Sequence, residues 1–116
     1  HEAQAQYAAA EREYQTAADI AKRCLGDSHP DYFLKLHNLA HLRVFLGQHD
    51  QALLLYEQVL AGWKRSYGDI HDKVAVCLNG MCAAALAAGD AARAERYAEE
   101  SMHVQNKCTE RTTLAW

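Results

Sequence analysis

The 116-residue sequence contains a single proline, six glycines and few valines or isoleucines. Valine and isoleucine favour strands, and no segment alternates apolar and polar residues over the length of a strand, so an all-β fold has no support. Half of the residues are hydrophobic, and alanine, the best helix former, is abundant. The composition therefore predicts an all-α chain.

Long apolar runs and clusters of positive charge are also missing. No segment approaches the roughly 20 apolar residues that a membrane-spanning helix requires. The 12 basic side chains are scattered, and the net charge is −3, which disfavours a nucleic-acid-binding surface. We therefore expect neither a membrane nor a nucleic acid as a partner.

The cysteines show no disulfide or zinc-finger pattern. Cys24, Cys77, Cys82 and Cys108 form no Cys-x-x-Cys pair, and three of them lie on apolar faces of predicted helices. This pattern is typical of reduced thiols in a cytosolic protein, so we expect a cytoplasmic location. The sequence begins with His1 instead of methionine, and we interpret it as part of a longer chain.

No arrangement typical of an active site or a metal site is present. The glycines occur singly, so there is no phosphate-binding loop, and no catalytic signature surrounds a cysteine. His37 and His41 share a helix face at i, i+4 spacing, but zinc needs three or four ligands and no further ligand lies beside them. We therefore expect no catalysis, no cofactor and no metal, and interpret both histidines as solvated.

The sequence does contain a repeat. Residues 26–31 (GDSHPD) return 42 positions later as residues 68–73 (GDIHDK), and residues 47–52 return as residues 89–94 with the same offset. A fixed period is typical of a chain built from stacked copies of one supersecondary unit. Such stacks present surfaces to partners, which favours an interaction function over chemistry in a pocket.

Apolar residues at three- and four-residue steps predict five helices. We place these helices at residues 2–24, 30–46, 50–66, 72–88 and 91–107. Ser28 and Pro30 are the expected cap and first turn of the second helix. Thr109 is the expected cap of a sixth helix, with Leu114 and Trp116 on one side. The breaks are short and centred on glycine, so neighbouring helices should lie antiparallel.

The aromatic residues are assigned to the packed faces of these helices. Tyr7, Tyr14, Tyr56 and Tyr97 recur at helical spacing, and we predict that they lie in the core or on its shoulder. Trp63 lies in an extension of its helix, where we expect it to cover the following turn. His29 and His71, which the repeated segments share, are expected to have a structural role in the turns.

The chain is predicted to form a single repeat domain, because nothing in it resembles a linker. Residues 1–25 would be the second helix of a partial repeat. Residues 26–67 and 68–108 would be two full repeats, and residues 109–116 a tail or the start of another helix. Both ends lack a partner helix, so self-association through the repeat ends is a further expectation.

Two helices per unit, with an early alanine and a later aromatic in the second helix, resemble the tetratricopeptide repeat. In the middle unit the matching positions are Leu36, Leu39, Ala40, Gly47, Ala52, Tyr56 and Val59. In the next unit they are Leu78, Met81, Cys82, Gly89, Ala94, Ala98 and Ser101. The 42-residue period and the segments LGDSHPD and LHNLA are similar to the repeats of the kinesin light chain. The resemblance implies a right-handed α-solenoid.

The resemblance also implies a binding surface, because in this family the first helix of each unit lines a concave groove. The corresponding positions here are Leu34, His37, Asn38, His41, Val44, Phe45, Val76, Asn79, Gly80, Ala83 and Leu86. An asparagine amide can donate and accept together, so Asn38 and Asn79 could hold the backbone of an extended peptide. The alternative is that these two amides satisfy polar groups between helices.

The predicted function is a non-enzymatic adaptor or scaffold that binds a partner protein or peptide in this groove. One alternative is a structural segment of a large motor or ciliary assembly that uses its ends and convex face. Another is a peptide-sensing regulatory module whose effector domain lies elsewhere. Partner contacts on the outer helices would favour the structural alternative.

Overall fold

The computed structural model describes residues 2–114, with side chains described for residues 5–111. The helices are α1 (Glu2–Leu25), α2 (Pro30–Phe45), α3 (His49–Tyr67), α4 (Asp72–Ala87) and α5 (Ala91–Leu114). No strand occurs over residues 2–114, so the prediction of an all-α chain is confirmed. Within the same range, no helix combines the length and the apolarity needed to cross a membrane.

The turns between repeats open on glycines in the left-handed region of backbone space. Gly26 has a φ of +93° and Gly68 a φ of +88°, which residues with a side chain rarely adopt. The backbone N–H of Gly26 donates to the carbonyl of Lys22 at 2.9 Å, and that of Gly68 donates to Lys64 at 2.8 Å. Each glycine thus satisfies a carbonyl of the last turn and directs the chain away from the helix.

The histidine shared by the repeated segments caps the helix that follows. His29 Nδ1 accepts a hydrogen bond from the backbone N–H of Asp31 at 3.1 Å, and His71 Nδ1 accepts one from Lys73 at 3.0 Å. Both residues are the N-caps of their helices. The prediction that Ser28 is the cap is therefore wrong, whereas a structural role for the two histidines is confirmed.

Helix α5 does not end where the sequence analysis predicts. It continues to Leu114, and Thr109 lies inside it. The Thr109 hydroxyl donates to the carbonyl of Gln105 at 3.0 Å, so it does not cap a new helix. No glycine or proline occurs between residues 105 and 114 to stop α5. The predicted sixth helix is therefore wrong over this range, while Trp116 and the Leu114 side chain lie outside the described residues.

The helices stack in chain order, each packed against the next. Helix α2 also packs against α4, whereas over residues 2–114 the backbones of α1 and α3, and those of α3 and α5, do not pack together; α3 and α5 are joined at the surface by the Glu57–Arg93 ion pair at 3.3 Å. The stack therefore curves, with α2 and α4 on its inner side. The radius of gyration is 15.2 Å, compared with about 13 Å for a compact domain of this length. The predicted α-solenoid of helix–turn–helix repeats is confirmed.

The core lies where α2, α3 and α4 meet, and Trp63 is its largest fully buried side chain. The Trp63 indole N–H donates to the carbonyl of Pro30 at 3.2 Å. The ammonium of Lys73 lies 5.6 Å from the centroid of the ring. Trp63 therefore contacts the first turns of both α2 and α4, whereas its predicted cover of the following turn stays a prediction.

One thiol, that of Cys77, belongs to this core. Cys24, Cys77 and Cys82 are free thiols, and Cys77 is fully buried. The Cys77 thiol donates to the carbonyl of Tyr56 at 3.3 Å. Burial raises the pKa of Cys77 to about 12, so this thiol stays protonated and unreactive at neutral pH.

Candidate interaction surface

The inner side of the stack is formed by one face of α2 and one face of α4. We call its exposed residues the inner face, and they are Asn38, His41, Phe45, Val76, Asn79, Ala83 and Leu86. Phe45 is 66% exposed, Val76 46% and Leu86 61%. Three large apolar side chains thus remain exposed on two neighbouring helices of the inner side.

The other predicted groove positions lie between helices. Leu34 and Val44 are half-buried and pack against the core. A Cβ atom at Gly80 would lie 2.7 Å from Cε1 of Tyr56, so glycine at this position lets α3 and α4 approach closely. These residues hold α2 and α4 in place, whereas the inner face presents the surface.

His37 is also turned into the stack, which corrects its interpretation as a solvated histidine. Its ring lies 5.5 Å from the Trp63 ring in a stacked arrangement and 5.4 Å from the Tyr56 ring in an edge-on one, centroid to centroid. Its Nε2 atom is buried. His41 remains exposed, with its ring edge-on to Phe45 at 5.2 Å. No group of three potential metal ligands occurs among the described side chains.

The position of His37 lowers the pKa of its imidazole below the ordinary value of 6.5. The main cause is burial, which disfavours the charged form. Repulsion from His41 on the same helix and from Lys73 on α4 acts in the same direction. The folded state therefore favours neutral His37.

This shift predicts a pH dependence of stability. The unfolded chain takes up the His37 proton first, near its ordinary pKa, so the stability is fully present above about pH 6.5 and declines as the pH falls below it. We expect His37→Gln to have a shallower loss of unfolding free energy than the wild type between about pH 7.5 and pH 5.5. Urea titrations at several pH values measure both slopes, and equal slopes would contradict the assignment.

The two asparagines of the inner face differ in their surroundings. The Asn79 carbonyl oxygen accepts a hydrogen bond from the hydroxyl of Ser101 at 2.7 Å, and Ser101 is 1% exposed. Asn79 thus satisfies a buried hydroxyl of α5, as the alternative interpretation states, and its NH₂ group has two donors in addition. Asn38 is exposed on α2, one helical turn before His41 and Leu42.

A small cavity adjoins the inner face at the α1–α2 boundary. It has a volume of about 220 Å³, and the lining residues are Tyr7, Tyr14, Asn38, His41, Leu42 and Phe45. The rings of Tyr7 and Phe45 are parallel within 2°, with centroids 6.5 Å apart. Pockets for drug-sized ligands usually exceed roughly 300 Å³. This cavity therefore fits a single side chain of a partner better than a cofactor.

Tyr7 and Tyr14 are the residues of this surface that the sequence analysis did not assign to it. They are 44% and 41% exposed, so of the two predicted positions, the core or its shoulder, neither lies in the core, whereas Tyr56, at 1%, does. The 42-residue period contained the relevant signal, because Tyr14 aligns with Tyr56. Tyr56 on α3 lies between His37 of α2 and Gly80 of α4, whereas the described helix beside Tyr14 is α2, across the cavity.

Acidic side chains are absent from most of the inner helices. Over α2 and α4, both described throughout, the only carboxylates are Asp31 and Asp72, each in the first turn. The other acidic residues lie on α1, α3 and α5 or in the turns. The inner face therefore offers imidazole, amide and apolar groups without fixed negative charge.

Comparison with known proteins agrees with the repeat geometry. The tetratricopeptide repeat family model matches residues 1–64 and residues 32–107, and the two matches together cover most of the chain. No curated protein matches the chain. Tetratricopeptide repeats generally mediate protein–protein interactions and scaffolding. On the family match and the stacked helix pairs together, the chain belongs to the tetratricopeptide repeat family.

Proposed function

We propose that this protein is a non-enzymatic scaffold that holds an extended segment of a partner protein on its inner face. The observation that carries the proposal is the uncovered apolar surface of Phe45, Val76 and Leu86 beside two exposed amides. Apolar side chains of the segment would cover Phe45, Val76 and Leu86, and its backbone would form hydrogen bonds with the side-chain amides of Asn38 and Asn79. The interaction function of the family agrees with this role.

The polar contacts suit an extended backbone. An extended peptide outside a helix or sheet has unpaired backbone N–H and C=O groups. An amide side chain can accept a hydrogen bond from the N–H and donate one to the C=O. Asn38 can donate and accept, whereas Asn79 would use its NH₂ group, since its oxygen already accepts from Ser101. The cavity beside Phe45 would take one partner side chain and so fix the register of the segment.

The charge of the inner face selects among partner segments. Beyond the first turns, α2 and α4 carry no carboxylate that could pair with a basic segment, and Lys73 lies at the start of α4. We therefore expect the bound segment to be neutral or acidic.

We also infer a cytoplasmic location, which the free thiols of Cys24, Cys77 and Cys82 support. We further infer that the repeats belong to a long-period subclass similar to the kinesin light chain repeats. The first residues of α2 and α4, Pro30 and Asp72, are 42 positions apart, which supports this inference.

A second candidate function uses the outer helices, as a structural segment of a larger assembly would. Leu54 on α3 and Met102 on α5 are each 62% exposed. Leu54 adjoins a cavity of about 220 Å³ that is also lined by Asp50, Glu57 and Arg93. This surface is more strongly charged than the inner face. Its exposed Leu54 can serve as a control for Phe45 in the binding test.

The test is a selection of random linear peptides against the whole protein, followed by affinity measurements on variants. We expect Phe45→Ala to weaken the selected peptides by about tenfold, as a central apolar contact does. Asn38→Ala should weaken them several-fold, because a lost hydrogen bond changes the binding free energy by about 1 kcal/mol. Both side chains are exposed, so the melting temperature should change little.

Leu54→Ala is the control, because Leu54 is as exposed as Phe45 but lies on an outer helix. It should leave the affinity unchanged. If Leu54→Ala weakens binding while Phe45→Ala and Asn38→Ala do not, the partner surface is the outer one and the inner-face assignment is wrong. Isothermal titration calorimetry gives all three affinities under one condition.

A further inference from the structure

A second cavity lies between α1 and α3, at the first turn of α2. Its volume is about 350 Å³, and its polar lining residues are Lys22, Asp27, Tyr32, Gln58 and Arg65. The backbones of α1 and α3 do not pack together, which leaves this space open. Helices α1, α2 and α3 and the turn before α2 supply all of its lining residues, so it is formed between packed repeats and not at an end of the stack.

The donors of this cavity have no partner within the chain. Among the described side chains, Lys22 and Arg65 form no ion pair, and the Gln58 amide and the Tyr32 hydroxyl form no hydrogen bond. The carboxylate of Asp27 pairs with neither cation. The cavity therefore offers two cationic and two neutral donors against a single carboxylate.

The 42-residue period provides an internal comparison, because the equivalent positions lie at the junction of α3, α4 and α5. The two cations recur there as Lys64 and Lys107, but Lys107 pairs with Glu110 at 3.4 Å. Glu100 occupies the position that corresponds to Gln58. The second junction thus contains carboxylates of its own, whereas the first leaves its cations without an anion.

We propose that this cavity, which we call the α1–α3 cavity, binds the phosphate group of a phosphorylated side chain on a partner polypeptide. A phosphate monoester carries a charge of about −1.5 to −2 at pH 7 and three acceptor oxygens. The charge matches the two cations, and the guanidinium of Arg65 can bind two oxygens side by side. A carboxylate has two oxygens and a single charge, so it would satisfy the four donors less well.

A polypeptide fits this cavity better than a membrane surface does. Binding to anionic lipids relies on clusters of about 4–8 basic residues, whereas here two basic residues share the site with Asp27. Pockets for small ligands begin at roughly 300 Å³, so the cavity has room for a phosphate and the side chain that carries it. The apolar part of the lining, Phe33 and Ala61, would contact that side chain.

The test is an NMR titration of the whole protein with a short alanine peptide that carries a central phosphoserine. Matched peptides with serine or glutamate at the centre should bind at least tenfold more weakly. Lys22→Gln should weaken the phosphopeptide roughly tenfold, because it removes a charged donor. Gln58→Glu should weaken it to a similar extent, because it introduces the carboxylate of the second junction. Both side chains are exposed, so the fold should be unaffected.

Arg23→Gln is the control for general charge effects. Arg23 lies beside Lys22 in the last turn of α1 but does not line the cavity, so this variant should bind like the wild type. Phe45→Ala should also leave phosphopeptide binding unchanged, which separates this cavity from the inner face.

Three results would overturn the proposal. Equal affinity for the glutamate peptide would make the cavity a general anion site. Equal weakening by Arg23→Gln and Lys22→Gln would reduce the effect to net charge. Absence of phosphopeptide binding would overturn the proposal outright, and parallel titrations with inorganic phosphate and with phosphatidic acid vesicles would then show whether a free anion or a membrane surface binds instead.

Discussion

Replacing Trp63 with alanine is expected to lower the free energy of unfolding by about 3–5 kcal/mol. The Trp63 side chain is 1% exposed and lies at the junction of α2, α3 and α4. Its removal leaves a cavity, deprives the Pro30 carbonyl of an indole donor and uncovers one side of His37. Domains of this size have roughly 5–15 kcal/mol of stability in total, so the loss is a large fraction of it.

Two further variants separate the contributions of Trp63. Trp63→Phe keeps most of the apolar area but loses the indole N–H, and it should cost clearly less than Trp63→Ala. Tyr67→Ala removes an aromatic ring one turn later on α3 that is 37% exposed and stacks on His71 at 4.2 Å, and it should cost clearly less than Trp63→Ala. Urea unfolding followed by circular dichroism measures all three. A Trp63→Ala protein as stable as the Tyr67→Ala protein would contradict the assignment of Trp63 to the core junction.

Gly62→Ala is expected to destabilise the protein by about 1–3 kcal/mol, although alanine is the better helix former. The physical reason is the Phe33 ring, which occupies the space that the new methyl group would need. Phe33 is 4% exposed, so its ring cannot simply turn out into solvent. Thermal and urea unfolding measure the change.

A double-mutant cycle with Phe33→Ala identifies the cause. In the Phe33→Ala background the methyl group meets no ring, so Gly62→Ala should become neutral or stabilise the helix by up to about 1 kcal/mol. Equal effects of Gly62→Ala in both backgrounds would contradict the close packing of α2 on α3.

The helices could be predicted because their ends depend on local chemistry. A glycine at each break, preceded by an apolar stripe, sets the helix ends within one or two residues, as for α2 and α4. The end of α5 was not predictable in this way, because Thr109 can cap a helix or bond within one, and only the surrounding structure decides. The N-cap of α2 was not predictable for a similar reason, because Ser28 and His29 both carry a side-chain acceptor just before the helix. The structure has His29 as the cap.

The inner face was only partly predictable, since a residue at the boundary between two faces of a helix can either pack against the neighbouring helix or remain exposed to solvent. His37 and His41 are one helical turn apart, yet His37 lies against the α3 aromatics whereas His41 is exposed. Asn38 and Asn79 both look like groove amides in the sequence, but only Asn79 has a buried hydroxyl of α5 beside it. Such differences depend on contacts between repeats, which residue spacing does not contain.

The structure separates a packed junction from an open surface. Tyr56 and Trp63 are buried between the helices and hold α2 and α4 in position. Phe45 and Leu86, on the same two inner helices, remain largely exposed. A substitution at the junction should therefore change stability, whereas under the proposed function a substitution of Phe45 or Leu86 should change partner affinity with little effect on stability.

The most direct test of partner binding on the inner face is backbone amide chemical-shift mapping by NMR, with a peptide from the selection titrated into the whole protein. We expect the largest shift changes at Asn38, Phe45, Val76 and Leu86, on α2 and α4. Shift changes concentrated instead around Leu54 and Met102, on the outer helices, would contradict binding at the inner face.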